Sequence, residues 1–378
     1  MALFTRLGHG RRFTNVILRV IAIVALLWTV VFVISPTEIE WVPTLSWSNR
    51  WLAYKEYEGN TRKKYTMFPL SKEEEDFPLA YSIVVHHKIQ NFEHLLRAIY
   101  APQNLYCVHV DKKASLAFLE AVMSITFCFP NVFMVSRPVD VVYAGWPRVQ
   151  ADINCMADLF NVSTKWKYFI NLCGQDFPLK TNLEMVRSLK MLKGKVDLLP
   201  IAGLIVLSDE THQSGIIRKL HHVIGAKAPT PFNLPVMSGN AYILASRGYV
   251  QSVLQDQRVQ QLIEWAKDSY SPDEFLWATI QRMPGVPGSS PPDAKYDLTD
   301  MNARARMVKW QWHEGPVYPM CSGHHVRSVC VYGIGDLQWL LEQHHFFANK
   351  FDLAADPIAI HCLEWYLRHK ALTDVDQW

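Results

Sequence analysis

Short, mostly apolar runs recur along the chain at Tyr81–Val85, Leu105–Val110, Val132–Val135, Tyr168–Leu172 and Ala241–Ala245, each bounded by polar or helix-patterned sequence. Runs this short and continuous suit strands buried on both faces, because a half-exposed strand would alternate. Between the first two, Phe92-Glu93-His94-Leu95-Leu96-Arg97-Ala98-Ile99-Tyr100 places its apolar residues at helical spacing, and Val149–Leu159 reads as another crossover helix. Strand–helix–strand repeated in this way predicts an α/β domain of three layers around a mostly parallel sheet.

Polar residues follow the runs: His86-His87, Asp111, Ser136-Arg137 and Gln175-Asp176. Open α/β sheets bind ligands beyond the carboxyl ends of their strands, so these residues are candidates for a site, although any strand ends where a polar loop begins. No G-x-G-x-x-G follows the first run and no G-x4-G-K-[ST] occurs, which leaves a dinucleotide fold and a P-loop unsupported. A net charge of +3 over 378 residues, without a Lys/Arg tract interleaved with aromatics, argues against nucleic acid as a partner.

Upstream of the domain, Val20–Ile34 carries no charge, and the apolar stretch reaches back to Val16 if Arg19 snorkels. No small-x-small cleavage site follows Ile34, and Pro36 stops the helix, so an anchor is favoured over a cleaved signal. Arg6, Arg11, Arg12 and Arg19 precede or enter this span while the first acidic residue is Glu38, which keeps the N-terminus cytoplasmic. The organisation expected is a cytoplasmic tail over 1–15, a transmembrane signal anchor over 16–35, a lumenal stem over 36–77 and a catalytic domain over 78–378. Residues beyond the anchor would then be lumenal, where the seven cysteines can form disulfides and the Asn161-Val162-Ser163 sequon can be glycosylated. Zinc is the rival use of cysteine, but only Cys321 and Cys330 lie close, and no C-x2-C pair is present.

Tyr81-Ser82-Ile83-Val84-Val85-His86-His87-Lys88, Tyr106-Cys107-Val108-His109-Val110-Asp111, Ile170-Asn171-Leu172-Cys173-Gly174-Gln175-Asp176-Phe177-Pro178, Tyr270-Ser271-Pro272-Asp273-Glu274, Val308-Lys309-Trp310-Gln311, Val326-Arg327-Ser328-Val329-Cys330 and Phe347-Ala348-Asn349-Lys350-Phe351-Asp352 occur in this order. Together they closely resemble the core 2 and mucin-type β-1,6-N-acetylglucosaminyltransferases of glycosyltransferase family 14, over about 78–195 and 236–372. The resemblance implies a GT-A-like fold and inverting transfer of GlcNAc from UDP-GlcNAc to O6 of GalNAc in core 1 O-glycans of glycoproteins. It also implies residence in the Golgi membrane and no divalent metal, and it leaves a homodimer open.

Residue by residue, the resemblance makes Glu274 the catalytic base. Read from its local sequence alone, Ser271-Pro272-Asp273-Glu274 is instead a capping box in which the Glu274 carboxylate accepts the Ser271 backbone N–H, and the resemblance reverses that reading. Arg327 and Lys350 match the cations that hold the diphosphate, and His86, Asp111 and Tyr143 match donor-side positions. Asp176 stands alone, without the second aspartate of a metal-binding Asp-x-Asp motif. Trp310 matches an acceptor-stacking tryptophan, and Trp312 replaces the family's usual tyrosine. The cysteine pairs carried over are Cys107–Cys155 and Cys321–Cys330, and Cys173 matches a free thiol. Cys128 and Cys362 match cysteines whose partners lie in a stem that is shorter here, leaving them unpaired or joined to each other. Between Lys195 and Pro235 the family's charged acceptor-binding stretch has no counterpart. That departure favours a catalytically impaired binding protein, whereas the retained Glu274, Arg327 and Lys350 favour a transferase, acting on core 1 or on another acceptor such as a polylactosamine galactose or core 3. A glycosidase is weaker, because no second carboxylate can be assigned opposite Glu274.

Overall fold

The computed structural model describes residues 65–194, 200–204, 210–213, 220–223, 227–289 and 300–373. The expected tail, the anchor over 16–35 and the stem up to residue 64 lie outside these residues. Among the described residues no helix is long and apolar enough to cross a membrane.

Four of the apolar runs form parallel strands. β1 (Leu79–Val85) pairs with β2 (Leu105–Val110) on one side and β4 (Tyr168–Cys173) on the other, and β3 (Val132–Met134) continues beyond β2. Successive residues of β1 serve opposite faces, as a pleated strand requires. Leu79, Tyr81, Ile83 and Val85 enter one core with α1 (Ile89–Ile99), α2 (Leu116–Phe127) and α4 (Asn182–Met191). Ala80 belongs to a second core built on α3 (Trp146–Val162), α5 (Arg247–Gln255), α6 (Gln257–Ala266) and α7 (Leu276–Gln281). The result is helix, sheet, helix: the three layers predicted, and an arrangement that fits a GT-A-like fold.

The fifth run departs from expectation. The strand is β6 (Leu244–Ser246), shorter than Ala241–Ala245, and it pairs antiparallel to β4 at the sheet edge. The Asn171 side chain explains the shortening. Its amide donates to the Ala241 carbonyl at 3.0 Å and its oxygen accepts the Ile243 N–H at 2.7 Å, so these backbone groups are satisfied outside the ladder.

Strand order is β6-β4-β1-β2-β3, so the chain reverses its direction of travel between β1 and β4. At such a switch point the crossovers diverge and leave a crevice beyond the strand ends. Gly174, just past β4, admits the close approach: a Cβ there would lie 3.1 Å from Val85 Cγ1. A three-stranded sheet caps the crevice, with β10 (Phe347–Asn349) between β7 (Arg306–Val308) and β5 (Asp176–Pro178), and Asn349 directly opposite Asp176. A hairpin of β8 (His324–Val326) and β9 (Val329–Val331) stands beside it. In the departing 195–235 stretch, Pro200–Leu204 pairs with Met237–Gly239, and Glu210–Gln213 with Leu220–Val223.

Disulfides join Cys107 to Cys155 and Cys321 to Cys330, with Cα atoms 5.6 and 5.7 Å apart. The first ties β2 to α3 and the second closes the hairpin. In the loop-entropy account their 48- and 9-residue separations correspond to about 4 and about 2.6 kcal/mol. Cys128 is buried with its thiol directed at the Ser124 carbonyl, whereas Cys362 is exposed, and neither carries a disulfide.

The final helix α8 (Pro357–Thr373) is clamped to α1 through Glu364, which accepts from His94 Nδ1 at 2.6 Å, Arg97 Nη2 at 3.1 Å and Arg97 Nε. Burial alone would raise the Glu364 carboxyl, but the hydrogen bonds from His94 and Arg97 outweigh it and hold the group at about 2, against an ordinary 4.5. A depressed carboxyl stabilises the fold above its unfolded value and loses that contribution as pH falls toward its folded value. Glu364→Gln should therefore cost on the order of 3 kcal/mol at neutral pH, and the difference should shrink between about pH 4.5 and 2. Urea midpoints of both proteins measured across that range check it; a difference independent of pH would reject the clamp.

Candidate active site

Val85, the last residue of β1, accepts the Asp111 N–H at 3.0 Å, which brings His86 and Asp111 side by side at the mouth of the crevice. The Asp111 carboxylate accepts the N–H groups of Lys113 at 3.0 Å and Val141 at 3.3 Å, with the Lys113 ammonium at 3.4 Å. His86 stacks on His87, ring centroids 4.0 Å apart. Burial lowers the His86 imidazole, opposed by Asp111 and assisted by Lys113 and Lys88, so His86 is neutral near pH 7.

Four cations, Lys350, Arg327, Arg306 and Lys88, gather on the far side. Lys350 follows Asn349 at the end of β10. Burial lowers its ammonium, Cys173 opposes that, and Arg327, Arg306 and Lys88 push it down further. Arg327 reaches the site from the two-residue turn of the β8–β9 hairpin, where Arg327 and Ser328 both take positive φ, 53° and 59°. Such primed turns match strand twist but are disfavoured for residues with a Cβ, so the hairpin needs external support. The Cys321–Cys330 disulfide supplies part of it. Lys309 supplies more, fully buried with its ammonium 2.7 Å from Asp336 Oδ1 and its carbonyl accepting the Cys330 N–H at 3.0 Å. The Arg327 guanidinium lies 5.0 Å above the ring of Tyr143, which is 74% exposed. Lys88 is ion-paired to Asp352.

Trp310 and Trp312 stack face to face, centroids 4.7 Å apart and planes 19° from parallel. The Gln311 N–H between them donates to the Ser328 carbonyl at 2.9 Å, so this aromatic platform is joined directly to the turn that bears Arg327. Trp312 is 61% exposed, and its indole face can stack on the C–H face of a sugar.

Glu274 is exposed at the end of a one-turn 3-10 helix, Pro272–Glu274. The capping box that its sequence suggests does not form. Ser271 adopts a left-handed conformation, φ 43°, makes no side-chain cap, and gives its N–H to the Ala144 carbonyl at 2.8 Å. With that N–H taken, Glu274 faces outward. Its neighbour Asp273 turns inward, toward Arg148 and Arg306.

Beneath the site runs a buried polar network. Arg148 Nη1 lies 2.6 Å from Asp152 Oδ2; Asp152 also accepts from Ser82 at 2.9 Å and Asn171 at 2.8 Å. The guanidinium groups of Arg148 and Arg306 both bear on the Tyr242 ring, at 5.3 and 3.3 Å from its centroid. Arg306 continues to Asp176 at 3.3 Å. Asp176, the lone aspartate after β4, is thus consumed by internal contacts. Cys173 accepts from Asn349 at 3.4 Å, and burial raises its thiol, which keeps it protonated. Among the described residues the two clusters of potential metal ligands both include cysteines of the Cys321–Cys330 disulfide, which offer no thiolate.

A sequence profile of the Core-2/I-branching enzymes matches residues 79–341. The chain belongs to that family. It is 55% identical over 324 residues to a β-1,3-galactosyl-O-glycosyl-glycoprotein β-1,6-N-acetylglucosaminyltransferase of Homo sapiens, covering 82% of this chain and 74% of the relative. An Ovis aries enzyme of the same name, number 3, is 56% identical over 317 residues, covering 82% and 72%, and a bovine herpesvirus 4 counterpart has the same figures. This Core-2/I-branching enzyme is accordingly a glycosyltransferase.

The fold gathers Arg327, Lys350 and Tyr143, sets His86 beside Asp111, and stacks Trp310 on Trp312. Asn161 is exposed near the last turn of α3, roughly 20 Å along the helix from Arg148 and so remote from the crevice. Sequence reasoning passed over Lys88, Arg148, Arg306 and Asp273. The one local signal was the Arg148/Asp152 pair, charges four apart on a helix face that is otherwise apolar.

Four clustered cations on a partly buried surface suit a polyanion. Inorganic pyrophosphate should therefore bind the full chain, and Lys350→Met or Arg327→Met should weaken it by about ten- to a hundredfold, with a steep fall as salt rises. Calorimetric titration measures both. Unchanged affinity in the two variants would mean that the cations do not face a common ligand.

Proposed function

We propose that this Core-2/I-branching enzyme transfers GlcNAc from UDP-GlcNAc to O6 of GalNAc in core 1 O-glycans, forming core 2 branches on glycoproteins. The observation that carries the reading is the convergence of Arg327 and Lys350 at the switch-point crevice, with the stacked tryptophans adjoining the same turn. His86, Asp111 and Tyr143 line the nucleoside side, and the cations bind the diphosphate. The acceptor sugar stacks on Trp310 and Trp312 with its 6-hydroxyl toward Glu274.

A sugar hydroxyl attacks poorly until its proton is taken, so Glu274 accepts that proton as the acceptor oxygen bonds to the anomeric carbon. The bond from the anomeric carbon to the diphosphate oxygen breaks on the opposite face, which inverts the configuration. Charge developing on departing UDP falls on Arg327 and Lys350, cations already fixed in place. This arrangement takes over what a divalent metal does elsewhere, and the reaction proposed needs none. The domain works in the Golgi lumen, held by the 16–35 anchor as a type II membrane protein and glycosylated at Asn161. A different acceptor, polylactosamine galactose or core 3, is the second reading, favoured by the sequence departure over 196–235.

Two outcomes test this with full-length protein in detergent, UDP-GlcNAc and a core 1 acceptor. Glu274→Gln should lose about 10²- to 10⁴-fold in turnover while UDP affinity holds, since an amide cannot take the proton; near-normal turnover refutes the base. EDTA should leave the parent's rate nearly intact, and loss on chelation restored by manganese would sink the metal-free mechanism.

A further inference from the structure

Two buried polar atoms beside Glu274 lack hydrogen-bond partners among the described residues: Nη2 of Arg148 and Oδ1 of Asp273. Each is shut off from solvent. The other half of the Arg148 fork is engaged, Nη1 lying 2.6 Å from Asp152, so the unused nitrogen sits on a guanidinium that cannot swing away. Asp273 is equally fixed, in a one-turn helix that is hung from the turn before α3 by the Ser271 N–H on the Ala144 carbonyl. Native proteins seldom leave buried donors and acceptors unmade, and each such atom asks for an occupant.

The pair has opposite hydrogen-bond character. A guanidinium N–H only donates and a carboxylate oxygen only accepts, so the complementary group must accept once and donate once. A hydroxyl does both; a phosphate oxygen would be repelled by Asp273, and an ammonium by Arg148.

Position narrows the occupant further. Asp273 directly precedes Glu274, which faces the acceptor. Arg148 and Arg306 meet on the same Tyr242 ring, and Arg306 leads through Asp176 to Asn349 and so to Lys350. Arg148 and Asp273 therefore connect the neighbour of Glu274 to Arg306, one of the four cations. In an inverting transfer the interval between base and diphosphate cations holds the sugar in flight. We propose that Arg148 and Asp273 bind one hydroxyl of the transferred hexosamine, Arg148 donating to its oxygen and Asp273 accepting its proton. The inference rests on the transferase reading above and adds a specificity contact on the donor sugar. Burial outweighs Arg148 and raises the Asp273 carboxyl, while the Arg148 guanidinium works against that shift and favours the ionised, accepting form.

The test compares UDP with UDP-GlcNAc, which differ only by the sugar. Full-length protein in detergent is titrated with each ligand by calorimetry, for the parent, Asp273→Asn and Asp273→Leu. UDP affinity should stay within about twofold throughout, which also reports folding. UDP-GlcNAc affinity should fall about ten- to a hundredfold in Asp273→Leu, with Asp273→Asn between, because the amide keeps a carbonyl acceptor. Equal losses for both ligands would show that Asp273 only shapes the fold or holds a bridging water, and unchanged UDP-GlcNAc affinity would show that it touches no sugar; either overturns the inference alone. A parent that binds neither ligand overturns the transferase reading and this inference with it.

Discussion

The Asp176 carboxylate accepts the Cys173 N–H at 2.6 Å, the Asn349 amide at 2.9 Å and the Arg306 guanidinium at 3.3 Å. These groups belong to β4, β10 and β7, segments up to 176 residues apart in sequence, as the Cys173–Asn349 contact shows. The carboxylate side chain is fully buried, and an ionised group in such a place survives only with this many donors. Removing one partner of a buried pair commonly costs about 3–5 kcal/mol, because the stranded charge keeps its desolvation penalty. The crevice depends on this knot. It fixes the cap sheet onto the strand ends, sets Lys350 one residue beyond Asn349, and holds Arg306 against Tyr242.

A second buried pair does the same for the hairpin. Lys309 and Asp336 are both buried, and Asp336 also accepts from the Ser322 hydroxyl at 2.7 Å and the Gly333 N–H at 3.0 Å. Backbone bonds then run from Lys309 to Cys330 and from Cys330 to Lys350, so the platform tryptophan, the turn arginine and the β10 lysine share one rigid frame. Placing the cations and the stacked tryptophans on the same frame couples their spacing. A transfer reaction needs this, because a misplacement of about 1 Å at the reacting atoms can cost on the order of a hundredfold in rate.

The strands and crossover helices were legible in the sequence because burial on both faces of a parallel sheet demands continuous apolar runs, and burial on one face of a helix demands helical spacing. Where a polar side chain took over backbone bonding, that legibility failed. Asn171 shortened β6 by satisfying Ala241 and Ile243, and no local pattern around residue 241 announces a partner seventy residues earlier. The capping-box pattern at Ser271–Glu274 failed because a distant backbone group, the Ala144 carbonyl, claimed the Ser271 N–H.

By itself the sequence determined the layered α/β plan, the position of the strand ends and the family resemblance that singles out Glu274, Arg327, Lys350 and the tryptophans. All of these follow from residues adjacent in the chain or from ordered motifs. Only the tertiary structure decided that Asp176 is an internal ligand, that Lys88 and Arg306 join the cation cluster, and that Arg148 and Asp273 are left with one open bond each. Those facts rest on contacts between distant segments, and a hydrogen-bond donor or buried charge has no sequence signature of which partner it will find, only the requirement that it find one.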